Sequence, residues 1–129
     1  MPRRFPALFA IAALLGGLLP AAALAQGDAA KGKELFSGMG TCWTCHGQAG
    51  KGDGPASAAL NPKPRDLTTG DFKFDADKNG TAGEDADLSM VIKQGPAPFG
   101  GSNAMPTFAH LSDEQVADLV AYIRTLSAQ

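Results

Sequence analysis

The only cysteines in the 129 residues fall in one short run, Cys42-Trp43-Thr44-Cys45-His46. Two thiols two residues apart, with an imidazole directly after them, restrict the chain to a few chemistries. An exported chain would ordinarily spend its cysteines on disulfides between distant segments, which this spacing does not serve. A thioredoxin-like dithiol sits in a strand–helix context, and half of a zinc site needs a second ligand pair where this sequence offers only His110. Covalent haem attachment uses all three residues. The thiols of Cys42 and Cys45 meet the two vinyl groups, and His46 is delivered to the iron as an axial ligand.

Residues 1–25 differ in composition from the rest. Arg3 and Arg4 give a positive start, Ala7 to Leu19 is uncharged and apolar, and Pro20 leads to a small-residue end at Ala23-Leu24-Ala25. These are the three parts of a secretory signal peptide, with cleavage expected before Gln26. An uncleaved anchor needs a similar length of apolar chain, but Pro6, Gly16, Gly17 and Pro20 interrupt the run and the A-x-A ending favours removal. The expected organisation is therefore a cleaved leader over 1–25 and one domain over 26–129, placed in the periplasm. The whole chain carries 11 Lys plus Arg against 13 Asp plus Glu. Loss of Arg3 and Arg4 with the leader leaves about minus four, which argues against nucleic acid as a partner.

Helical signals are clear at both ends of the domain. Asp28 can cap a first helix over about Ala29 to Gly38, and Gly32 leaves bare backbone one turn before Phe36. Leu88, Val91 and Ile92 recur at helical spacing within a middle helix of about Glu84 to Gln94, stopped by Gly95 and Pro96. Ser112 and Gln115 form a capping box before the stripe Val116, Leu119, Val120, Ile123 and Leu126. Between these lie Gly- and Pro-rich loops, with one short turn expected at Ser57 to Leu60. No segment alternates as a strand would, so the class is all-α. So few helices and such long loops suit a small domain whose centre is filled by a large apolar group.

Iron held by His46 on one side has Met39, Met90, Met105 and His110 as candidates on the other. Met39 is too near the attachment motif to cross the ring, and Met90 falls among core positions of the middle helix. A lone histidine such as His110 is more often a surface group. Met105 lies in a loop and is followed by Pro106, which restricts the local backbone, so it is the expected ligand. A thioether favours the reduced metal, and His46/Met105 ligation would raise the potential relative to two histidines.

With these features in place, the sequence resembles the small class I c-type cytochromes along the whole of 26–129. The shared pattern is an early CxxCH after the first helix, a Gly-Pro loop, a late Met-Pro and a closing amphipathic helix. The resemblance implies a cytochrome c fold of three to five helices with long loops around one covalent haem c. It implies that Gly32 and Phe36 cross Leu119 and Tyr122, and that the carbonyl of Pro55 accepts a hydrogen bond from His46. The stretch from Gly52-Asp53-Gly54-Pro55 to Asn61-Pro62-Lys63-Pro64-Arg65-Asp66-Leu67 resembles a periplasmic monohaem subgroup in which the arginine is a propionate partner, making Arg65 a cofactor-binding candidate.

The implied role is one-electron transfer between redox protein partners, as a monomer or as a dedicated subunit of a periplasmic oxidoreductase. No second catalytic constellation accompanies the motif, so a carrier is expected rather than an enzyme. Five-coordinate gas binders of the cytochrome c-prime type carry the motif near the C-terminus, whereas Cys42 lies early. Finally, Asp75-x-Asp77-x-Asn79-Gly80-Thr81 opens like an EF-hand calcium loop, but the twelfth position is Ala86 where a bidentate glutamate belongs. The loop and the acidic residues around it are read as solvated surface.

Overall fold

The computed structural model describes residues 26–128, so the leader expected over 1–25 lies outside the described residues. Four α-helices form the scaffold: α1 over Ala29–Ser37, α2 over Trp43–His46, α3 over Asp85–Gln94 and α4 over Asp113–Ser127. Three short 3-10 turns, Ser57–Ala59, Leu67–Thr69 and Ala97–Phe99, punctuate the loops, and no strand occurs among the described residues. None of the described helices is long and apolar enough to cross a membrane.

The helix ends follow from their caps. The Asp28 carboxylate accepts from the N–H groups of Ala30 at 2.8 Å and Lys31 at 3.3 Å, satisfying donors that the first turn of α1 leaves free. Ser112 and Gln115 close the expected capping box on α4. A second box, formed by Glu84 and Asp87, starts α3. Sequence reading placed Asp87 among solvated acids, and the structure corrects this. Asp87 is 1% exposed, and its carboxylate accepts from the N–H groups of Ala76 at 2.6 Å, Asp77 at 3.2 Å and Glu84 at 3.0 Å.

The core sits where α1 crosses α4. Phe36, Val116, Leu119, Val120, Tyr122, Ile123 and Leu126 form one buried cluster with Leu88, Ile92 and Leu111 from the α3 side. The rings of Phe36 and Tyr122 meet edge to face, with centroids 5.3 Å apart and planes at 65°. The crossing depends on Gly32, because a Cβ there would stand 1.9 Å from the Asp118 carbonyl oxygen and 2.8 Å from the Tyr122 Cβ. Asp118 is buried nearby and accepts the Asp28 N–H at 2.6 Å, joining residues 90 positions apart in sequence.

Candidate functional site

The motif leaves α1 through a tight turn. The N–H groups of Gly38 and Gly40 donate back to the carbonyls of Glu34 and Leu35, each at 2.8 Å, and Thr41 adopts a left-handed φ of +49°. A β-branched residue is uncommon in that region, and here it turns the chain directly into α2. Within that single turn the His46 N–H donates to the Cys42 carbonyl at 2.9 Å. Residues three and four apart share a helix face, so Cys42, Cys45 and His46 point to one side. Spacing alone did not announce this short helix, but it explains why two intervening residues are needed.

His46 is aimed by its backbone surroundings. Its Nδ1 lies 2.9 Å from the Arg65 carbonyl oxygen. A carbonyl only accepts, so Nδ1 carries the proton and donates it, leaving the lone pair of Nε2 free for a metal. Burial pushes the imidazole pKa below its ordinary value, against the opposing pull of the Arg65 carbonyl. The ring is thus held neutral, as ligation requires. Burial likewise pushes the Cys42 thiol up to about 11, with its own backbone opposing the shift and Cys45 adding to it. A redox dithiol needs an acidic attacking thiol, so this environment disfavours thioredoxin-like chemistry.

The expectation that Pro55 supplies the carbonyl for His46 is corrected. Pro55 is exposed, and its segment is tied instead to the backbone of the motif: the Gly54 N–H donates to the Cys45 carbonyl at 3.0 Å and the Ala56 N–H to the Thr44 carbonyl at 2.9 Å. Residues 53–56 therefore brace α2, and the later segment around Arg65 reaches the imidazole. It comes close because position 52 is glycine, where a Cβ would lie 2.5 Å from the Pro64 carbonyl oxygen. The Arg65 side chain is exposed, so what the structure assigns to this residue is a main-chain contact.

Cys42 and Trp43 pack against the core cluster beside Leu35, Phe72 and Phe108, all of them only partly buried. The motif thus stands at a margin of the core where apolar surface is left half-covered. Two thiols, a neutral imidazole with a free Nε2 and this apolar margin together fit a porphyrin. Met105 is half-buried in the loop after α3, which is fastened by the Phe108 N–H donating to the Ile92 carbonyl at 3.1 Å. Met39 is 65% exposed, Met90 is half-buried within α3, and His110 is exposed beside the Phe108 ring.

Residues 29–127 match the family model for cytochrome c. The chain belongs to the cytochrome c family. As a cytochrome c it carries haem c, an iron porphyrin bound covalently. Its fold is similar to that of a chain in the "reducing HAO-like protein complex" of Kuenenia stuttgartiensis, with 29% identity and a TM-score of 0.62, covering 78% of this chain and 43% of that one. This cytochrome c therefore spans less than half the length of that neighbour. No curated protein matches the sequence. The motif, the helix order and the α1–α4 crossing agree with the family resemblance read from the sequence.

The acidic loop forms a separate cluster. Carboxylate oxygens of Asp75, Asp77 and Asp87 lie within 4.8 Å of one another. The loop's own groups use them: besides the bonds to Asp87, the Asn79 N–H donates to Asp75 at 3.0 Å and to Asp77 at 3.1 Å, and the Gly80 N–H donates to Asp75 at 2.9 Å.

Proposed function

We propose that this cytochrome c is an exported, periplasmic one-electron carrier in which His46 and Met105 are the two axial ligands of a single haem attached through Cys42 and Cys45. The haem, when bound, supplies a one-electron iron couple at an apolar ring edge. The protein's residues fix the geometry. The observation that carries the reading is the His46 ring: its Nδ1–H is bonded to the Arg65 carbonyl, so its Nε2 is free on the helix face shared by both thiols. That bond sets the tautomer and raises the basicity of the ligand. The Arg65 guanidinium, exposed just beyond the carbonyl, is proposed as a partner for a haem propionate. Met105 is supported by its half-buried place in the loop after α3, and export by the leader pattern of residues 1–25.

Met105→Ala tests the ligand set in protein matured by a host that attaches haem. The oxidised variant should lose the far-red methionine–iron absorption. Its potential should fall by more than about 59 mV, the one-electron equivalent of tenfold. A surviving band or an unchanged potential overturns Met105.

A second reading is favoured by the structural neighbour, which is a chain of a redox complex and more than twice the matched length. In that reading the same haem serves one oxidoreductase as a dedicated subunit. Co-purification with a catalytic chain from the native periplasm distinguishes it from a freely diffusing carrier.

A further inference from the structure

The carbonyl that accepts the hydrogen bond of His46 Nδ1–H belongs to a segment fastened immediately after Arg65. Asp66 caps the 3-10 turn Leu67–Thr69, and one of its carboxylate oxygens accepts both the Thr68 N–H at 2.9 Å and the Thr68 hydroxyl at 2.6 Å. The Thr69 hydroxyl donates to the Asp66 carbonyl at 3.1 Å, and the Leu67 N–H donates to the Gly50 carbonyl at 2.7 Å. Leu67 is itself part of the buried core. On the other side, the Gly52 N–H donates to the His46 carbonyl at 2.8 Å, closing the loop against which Pro64 packs. The Arg65–Asp66 peptide is therefore held between two fixed points, and the Asp66 cap is the side-chain fastening next to its carbonyl.

We propose that Asp66, acting with Thr68, is a positioning residue for the axial histidine: its cap locks the Arg65 carbonyl onto His46 Nδ1 and so tunes the electron donation of the imidazole to iron. A fixed acceptor strengthens the ligand and favours oxidised iron, whereas a loose one weakens it and favours reduced iron. The thiols and the ligand set are untouched by this device, which acts on the electronic properties of the site rather than on its assembly. Hydrogen bonds of the Thr68 group hold the Asp66 carboxyl below the usual carboxylate range, consistent with an ionised cap.

The test uses holoprotein and three variants. Asp66→Ala removes the acceptor. Asp66→Asn keeps an oxygen for Thr68 but loses the charge, and Thr68→Val removes one of the two donors. Asp66→Ala should change the oxidised-to-reduced ratio at fixed ambient potential about threefold toward the reduced form, a rise of about 28 mV at 59 mV per tenfold. It should also shift the His46 ring resonances and speed solvent exchange of the Nδ1 proton. Thr68→Val should move both readouts in the same direction by less, and Asp66→Asn should stay near the wild type. An unmoved potential and ring spectrum in Asp66→Ala overturns the proposal. So does Asp66→Asn matching Asp66→Ala, which would assign the effect to charge alone. The inference rests on His46 being an iron ligand. That reading fails separately, if the wild-type holoprotein shows no iron-shifted His46 ring signals.

Discussion

Asp87 and His46 are both aimed by main-chain groups, and each shows how a polar side chain is held inside a small domain. For Asp87, desolvation pushes the carboxyl up, but the N–H groups of Glu84, Asp77 and Ala76 outweigh it and leave the pKa below the ordinary carboxylate value. A folded pKa below the unfolded one means stability is fully present above the unfolded value, about 3.9, and is lost as pH falls through the depressed folded value. Asp87→Asn keeps the shape but cannot accept from three N–H groups with the same strength. It should lower the thermal midpoint by several degrees at neutral pH, and that difference from the wild type should shrink on acidification below about pH 3.9, as followed by circular dichroism. The sequence showed Asp87 only as one acid among several. Its burial depends on residues 76 and 77 folding back over α3, a long-range event that no local pattern encodes. Cys42, Cys45 and His46 were legible as one candidate group because their spacing along a single helical turn is local. The acceptor for His46 was not legible, since any backbone carbonyl can serve, and the close packing of Pro64 on Gly52 that brings in the Arg65 carbonyl is a contact between separate loop segments.

At the level of elements, α1, α3 and α4 could be read closely because each has a cap and an apolar stripe in its own sequence. The motif helix and the turn at Ala97–Phe99 have neither, and the turn at Leu67–Thr69 has the Asp66 cap but no apolar stripe. The α1–α4 crossing is the element contact most exposed to test. Gly32→Ala would drive a methyl into the Asp118 carbonyl, whose backbone cannot give way without shifting α4. Overpacking of this kind costs about 1–3 kcal/mol, and we expect the upper part of that range in chemical denaturation of the holoprotein. A cost near zero would mean that the helices are not so closely apposed in solution.

Taken together, the described residues hold four α-helices and extensive loop, with aromatic groups such as Trp43, Phe72 and Phe108 only partly covered. With so much loop and so much apolar surface half-covered, the bound haem would supply a large part of the apolar contact that these side chains lack. Protein with Cys42 and Cys45 both replaced by alanine, made without attached haem, should melt tens of degrees below the holoprotein, given about 4–8 °C per kcal/mol at this size. Calorimetry showing similar midpoints would place the stabilising core elsewhere.

The bond from the Asp28 N–H to Asp118 closes the chain on itself at the base of everything between α1 and α4. Lengthening a flexible loop that is already closed costs only about 0.6 kcal/mol per doubling. Insertions at the exposed tip between Thr81 and Ala82 would therefore leave the clasp between the terminal helices nearly as tight as before. The architecture can grow new surface there without reworking the interior.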